Sequence, residues 1–205
     1  QCKLFEERLL DLEDGNGTGR VRLSDFHAST VRKGYWWFIE TADYLRHVGA
    51  LDETNPSGPR VIIPNYIHTP HNCIVTSKYY AVCCADACEN MMAHLEGKIR
   101  APHASPEVIA DVVSEWLSAS ASSNRTLSAA LSSKLNEIAE QNGGVVPLHG
   151  RLFAQWLHFV NPRECQYPHL SNTTSYENKH EYKRKTGNPH AYSRYELYAM
   201  FGEGV

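Results

Sequence analysis

The chain has 205 residues, 42% of them hydrophobic and 21% charged, which is enough to bury a globular core and lacks the polar bias of a disordered chain. Its 20 Lys+Arg against 23 Asp+Glu leave a net charge of -3, so no basic excess is available for a phosphate backbone and no nucleic-acid partner is expected. No apolar run reaches the roughly 18 residues needed to cross a bilayer, so no membrane span is expected, and the absence of a basic, apolar leader fits a mature terminus at Gln1.

In chain order, residues 3–13 predict a helix with Leu4, Phe5, Leu9, Leu10 and Leu12 on its apolar side. It runs into DGNGTGRVRLSDF, which fits an EF-hand loop: Asp14 at the first position, Asn16 at the third, Thr18 at the fifth, Gly19 at the sixth, the Arg20 carbonyl at the seventh and Asp25 at the twelfth. Val21, at the eighth, is expected to form the short strand behind the ion. Calcium is therefore a candidate ligand, although only Asp14 and Asp25 supply carboxylates, Arg22 stands at the ninth position, and no second loop is visible to pair with the first. The alternative is a helix-loop-helix that keeps the shape without the ion.

A second helix is predicted over Trp36–Val48, stopped by Gly49. Residues 51–72 carry four prolines and read as a long irregular connection with one extended piece at Val61–Ile63. A third helix is predicted over 76–97, bearing clustered cysteines. Ser105-Pro106-Glu107 is a helix start, with an N-cap, a proline in the first turn and an acid near the positive end of the dipole. Another helix is predicted over Leu127–Gln141, and Val145–His169 supplies an amphipathic helix between Pro147 and Pro162. From Ser171 the aliphatic residues thin out and tyrosines take their place, which predicts an extended tail held by its own body or by a partner. Tyr176, Tyr182, Tyr192, Tyr195 and Tyr198 are its candidate anchors.

Six cysteines (Cys2, Cys73, Cys83, Cys84, Cys88, Cys165) form an even set, and three N-x-S/T sequons stand at Asn16, Asn124 and Asn172. Together they point to an oxidising, secretory route, hence to a secreted or lumenal glycoprotein with disulfide bonds. Cys83 and Cys84 are too close to pair with each other without strain. At least two of Cys83, Cys84 and Cys88 are expected to reach other segments, with Cys2, Cys73 and Cys165 as available partners.

Transition-metal chemistry has two candidate segments. His149 and His158 lie in a string that resembles the first copper-binding stretch of tyrosinases, and His68-x-x-His71-Asn72 resembles the second, in the reverse chain order; His169 is a further candidate. On one continuous helix, nine residues place His149 and His158 on opposite faces, with His149 on the apolar side and His158 on a polar stripe. A copper- or zinc-dependent oxidoreductase using His149, His158, His169, His68 and His71 is one enzyme reading; the other is a cysteine-histidine nucleophile, with Cys165 or one of Cys83, Cys84 and Cys88 beside His149 or His158, against which stands disulfide use of the thiols. No G-x-S-x-G supports a serine triad.

IIPNY (62–66), YYAVCCADACE (79–89), PLHGRLFAQWLH (147–158) and PRECQYPH (162–169), together with the DGNGTGRVRLSDF loop, resemble a family of uncharacterised secretory-pathway proteins of algae and related protists. The resemblance covers roughly residues 5–170 and implies compartment and domain unity, without implying an activity. The expected architecture is thus mainly α. One disulfide-stapled helical domain spans 1–170, with long irregular loops and an EF-hand-like unit within 3–34, and a Tyr-rich tail follows over 171–205. The expected function is that of a non-catalytic structural or accessory subunit bound to a larger protein assembly partly through the tail, with the metal-dependent enzyme and the calcium-binding module as alternatives.

Overall fold

In the computed structural model of the chain, residues 2–34, 36–73, 75–76, 81–119 and 127–202 are described. These residues form ten α-helices and three small sheets, the mainly α class that the sequence predicts. They divide into two compact units, Gln1–Ala85 with His169–Val205, and Asp86–Pro168. The sequence reading expected one domain over 1–170 and a separate tail.

The first unit opens with α1 (Cys2–Leu10), shorter than the predicted 3–13 because Leu12 and Glu13 donate turn bonds back to the Leu9 and Leu10 carbonyls. A loop leads to β1 (Arg20–Arg22) and α2 (Leu23–Arg32). The next helix, α3 (Ala42–His47), begins six residues later than expected. Residues before it are extended, and Thr41 caps the helix by accepting the Tyr44 amide at 3.3 Å. Gly49 follows with a φ of 75°, the left-handed conformation in which glycine ends a helix without penalty.

After β2 (Leu51–Asp52) the chain reaches β3 (Arg60–Ile62) and the short helix α4 (Ile63–Ile67). The strands form an antiparallel sheet in the order β1-β3-β2, with Val21 opposite Val61. A hairpin of β4 (Val75–Thr76) and β5 (Ala81–Val82) occupies the ground where the third helix was expected to start. That helix begins only at Ala87, so Cys83 and Cys84 lie in irregular chain and can diverge. They do: Cys2 pairs with Cys84 and Cys73 with Cys83. Phe26, Phe38, Tyr44, Leu45, Val61, Ile63 and Tyr66 fill this unit's core.

The second unit holds α5 (Ala87–Ile99), β6 (His103–Ala104), α6 (Pro106–Ala119), α7 (Ala129–Gln141), β7 (Val146–Pro147) and α8 (Arg151–Val160). Asp86 caps α5 through the Cys88 amide at 2.9 Å, and Ser128 caps α7 through the Leu131 amide at 3.2 Å. Helical spacing of Ile109, Val113 and Leu117 on α6 turns one face inward, and each successive helix packs on the one before it. Their core gathers Met91, Leu95, Ile109, Val113, Leu135, Phe153 and Trp156; complete burial of a side chain such as Phe153 stabilises by about 2 kcal/mol. The Trp156 indole N–H donates to the Leu131 carbonyl at 2.8 Å, and the Cys88–Cys165 disulfide ties the start of α5 to the chain after α8.

From His169 the chain returns to the first unit, and here the extended tail is corrected. Residues Lys179–Thr186 form α9 and Arg194–Phe201 form α10. Each starts in a reciprocal capping box, Asn178 with Glu181 and Ser193 with Glu196, which satisfies amide donors that water would otherwise hold. Burial fixes them further, because Tyr182 and Leu197 are enclosed. Tyr182 packs edge-on to Tyr44 at 5.0 Å, and the segment between the helices runs antiparallel to Ile39–Thr41, with Thr41 donating to the His190 carbonyl at 2.9 Å and Tyr192 to the Ile39 carbonyl at 2.8 Å. Those bonds are why residues 39–41 are extended where a helix was expected.

Candidate functional site

Around Val21 and Val61 two segments of the first unit repeat one layout: helix, loop, short strand, helix. Their contacts are reciprocal. The Leu23 amide donates to the Pro59 carbonyl at 3.0 Å, and the Ile63 amide donates to the Gly19 carbonyl at 2.9 Å. Arg20 of the first strand reaches Asp52 of the second loop at 2.7 Å, and Arg60 of the second strand reaches Asp14 of the first loop at 2.7 Å. The relation is an approximate twofold centred on the valine pair. Sequence reasoning missed the second half because its strand is only three residues long and follows a proline-rich connection.

Of the residues predicted as calcium ligands, Asp14, Thr18 and Arg20 already have partners within the protein. Arg60 and Arg22 take the two carboxylate oxygens of Asp14, at 2.7 Å and 3.1 Å, and these pairings, Arg22 foremost, hold its carboxyl below the usual carboxylate range. The Arg20 carbonyl accepts the Asp14 amide at 2.7 Å, and the Thr18 hydroxyl donates to the Asp14 carbonyl at 3.0 Å. Inside the loop the anion is Glu13, which accepts the Gly19 amide at 2.7 Å and the Gly17 amide at 3.1 Å. Asp25 lies in the first turn of α2 and lines a cleft with Asp11, Glu13, Arg32 and Lys33. Asn16 is exposed at the loop tip.

Each candidate histidine with a described side chain has a local occupation. His149 precedes α8, is exposed and pairs with Glu96 at 3.3 Å. His158 is fully buried, its Nδ1 donating to the Cys165 carbonyl at 2.7 Å. This reverses the expected faces: α8 starts at Arg151, so His149 is out of helical phase, and the Cys165 carbonyl provides the partner that lets an imidazole enter the core. In the first unit, His169 donates to the Gly49 carbonyl at 2.7 Å, while His68 ends α4 and its carbonyl accepts the Tyr176 hydroxyl. The His71 side chain and Asn124 lie outside the described residues. Among the described residues no group of three or more His, Cys, Asp or Glu side chains is placed to hold a metal ion.

Behind α2 lies a polar network that the sequence did not reveal. Glu40 is completely buried; its carboxylate accepts the Tyr66 hydroxyl at 3.1 Å, and its carbonyl accepts His27 Nε2–H at 2.8 Å. Burial lowers the His27 pKa and pushes Tyr66 well up, so both are neutral near pH 7. Tyr192 closes over His27 at 5.3 Å between ring centres. In the second unit a groove of about 660 Å³ between α7 and α8 is lined by Leu131, Ile138, Leu152, Trp156 and Phe159, with Lys134 and Glu137 on its rim paired to each other at 2.7 Å. Neither place assembles a nucleophile, base and oxyanion donors among the described residues.

The predicted tail anchors separate into two sets. Tyr182 is buried and Tyr192 partly so, and they hold α9 and α10 to the body. Tyr176, Tyr195 and Tyr198 are exposed, at 65%, 83% and 52%, and Met200 on α10 is exposed as well. Tyr198 packs near Trp36 at 5.7 Å, and the Arg194 guanidinium covers the Trp36 ring at 4.4 Å. The exposed side of α9 adds Lys183 and Arg184. Asn172 is exposed, with a φ of 66°, in the turn that opens this segment. Comparison with protein-family models, characterised proteins and solved structures finds no match to this chain.

Proposed function

We propose that this chain is a non-catalytic accessory subunit of the secretory pathway, whose C-terminal helices dock a protein partner that presents an acidic face with apolar sockets. The observation that carries the reading is the exposed pair Tyr195 and Tyr198 on α10, with Trp36 and Arg194 adjoining, in a unit that the Cys2–Cys84 and Cys73–Cys83 disulfides brace. Tyr, Trp, Met and Arg are the residues that protein interfaces favour, because they offer large contact area at low entropic cost. The cations of α9 select an acidic partner, since a basic segment on a chain of net charge -3 steers association without broad attraction to anions. Disulfides and the exposed sequons Asn16 and Asn172 support a secreted or lumenal location. The helix-loop-strand-helix pair reads as an EF-hand-like scaffold that carries the docking helices.

Deleting residues 171–205 does not test this, because it would also strip Tyr182 and Leu197 from the core. Point substitution does. Tyr195→Ser with Tyr198→Ser is expected to leave the circular dichroism and melting temperature unchanged. In sedimentation of native extracts the variant should move from a large assembly to the size of the free chain. Loss of one interface hot spot weakens binding on the order of 30-fold. Co-sedimentation of the folded double variant with the assembly, undiminished at high salt, refutes the reading.

A further inference from the structure

The paired loops have the outline of a cation-binding pair and a different charge chemistry. A calcium loop turns its carboxylates and one backbone carbonyl toward a central ion, whose two positive charges offset the crowded oxygens. Here the oxygens of Asp14, Thr18 and the Arg20 carbonyl face protein donors. Asp14 Oδ2 receives both Nε and Nη2 of Arg60 at 2.7 Å, and Oδ1 receives Arg22 Nε at 3.1 Å. Arg60 is itself fixed, only 8% exposed and donating through Nη1 to the Gly58 carbonyl at 3.0 Å. The seventh-position carbonyl, that of Arg20, is turned to the Asp14 amide.

Across the approximate twofold the arrangement recurs. Arg20 Nε donates to Asp52 at 2.7 Å, and Asp52 also accepts the Thr54 amide and hydroxyl at 3.0 Å and 2.6 Å. Arg22 feels the charges of both Asp14 and Asp25, the two carboxylates that the motif would have turned toward an ion. Because Arg20 and Arg60 each reach across to the acid of the other half, these two pairs also fix the register of the sheet between them.

We infer that the loop pair is a calcium-independent, guanidinium-locked unit: Arg22 and Arg60 supply the positive charge that a divalent cation would bring to the Asp14 loop, and Arg20 does the same for Asp52. Three consequences follow from the geometry. The loops hold their shape whether or not calcium is present. Each acid depends on an arginine of the other half, so removing either partner loosens both loops. An added divalent ion meets guanidinium groups where it would need vacant oxygens.

The test is the melting temperature of the intact protein in millimolar calcium chloride and in chelator, followed by calorimetric titration with calcium alone. The two melting temperatures are expected to agree within about 1 °C, whereas at about 10 mM calcium a functioning site of extracellular affinity raises the value by about 3 °C or more. In chelator, Arg60→Met and Asp14→Asn should each lower it, and the double variant should fall little further, because both remove one interaction. If Arg60→Met does not fold, Arg22→Met, on the more exposed contact, takes its place beside the wild-type titration. Saturable calcium binding by the wild-type chain, or arginine substitutions that leave the melting temperature in chelator unchanged, overturns the inference.

Discussion

Tyr182→Ala probes the join between the C-terminal helices and the body of the first unit. The ring is 2% exposed and packs on Tyr44 at 5.0 Å and His47 at 4.9 Å. Truncating a buried aromatic to alanine costs about 3 to 5 kcal/mol from lost transfer free energy and the cavity left behind. Relaxation of the surface helix α9 into that cavity argues for the lower end, about 3 kcal/mol, so the melting temperature should fall on the order of 10 °C. The Lys183-Arg184-Lys185 run just beyond the ring makes trypsin a second assay, since α9 must open locally before it can be cut there. Brief digestion should cleave the variant at that run while the wild type resists. Tyr195→Ala, at an 83% exposed position on α10, is the matched control and should change stability by less than about 0.5 kcal/mol. A Tyr182→Ala variant that melts within about 1 °C of wild type and resists trypsin refutes the proposition that this residue secures the C-terminal helices.

Other outcomes can be stated more briefly. Replacing Cys88 and Cys165 by serine, which opens a closure of 77 residues, should cost about 4 kcal/mol in chemical denaturation, and replacing Cys73 and Cys83, separated by 10, about 3 kcal/mol. Equal losses would show that loop entropy does not govern them. Burial lowers the folded-state pKa of His27, so the unfolded chain takes up the proton first. The stability tied to neutral His27 is complete above about pH 6.5 and is lost as pH falls through the folded value. His27→Gln should therefore flatten the decline in melting temperature between about pH 7 and pH 5, and an unaltered slope would exclude the residue as its source. Glu177 has its carboxyl held down to about 2, chiefly by Lys185 and further by His47, so its contribution persists above the ordinary glutamate range and disappears as the pH falls toward that value. Lys185→Met should shrink the acid-limb loss of stability, and an unchanged limb would count against the assignment. Gly49→Ala should unfasten His169, because the new methyl carbon would stand 2.8 Å from the imidazole at a φ of 75°; nuclear magnetic resonance of the His169 ring reads this directly, and an unmoved signal contradicts it.

Local signals in the sequence predicted local structure well. Ser105-Pro106-Glu107 marks the start of α6, the Leu127–Gln141 expectation lies within two residues of α7 at both ends, and Gly49 stands where α3 stops. Clustered cysteines with dispersed partners form three disulfides, as the geometry of neighbouring thiols requires. Expectations that needed distant partners did not carry over. Residues 39–41 fall within the expected helix, yet they are extended because Ala191 and its neighbours bond along them, and no window around Trp36 contains that information. The pairing of Val21 with Val61 depends on a three-residue strand, too short for alternation to announce it. In contrast, α9 and α10 were legible: Asn178-x-x-Glu181 and Ser193-x-x-Glu196 are capping boxes in the plain sequence, masked by the low aliphatic content around them. As for the candidate site, both members of each crossed ion pair are visible as residue types, while their partnership required the sheet register.

The segment Asp86–Pro168 interrupts the first unit, and the Cys88–Cys165 bridge holds the two ends of that segment at 4.8 Å between Cα atoms. A polypeptide emerging from the ribosome therefore makes Cys2, Cys73, Cys83 and Cys84 well before Cys165, with Cys88 just behind them and its own partner still unsynthesised. Disulfide formation in the growing chain would leave Cys88 idle while four nearby thiols sort themselves, a choice that early folding of the first unit would bias. With its entry and exit almost touching, the interrupting segment is also a cassette: produced alone it has the boundaries of a self-contained helical protein, and a short turn in its place would leave the surrounding chain continuous.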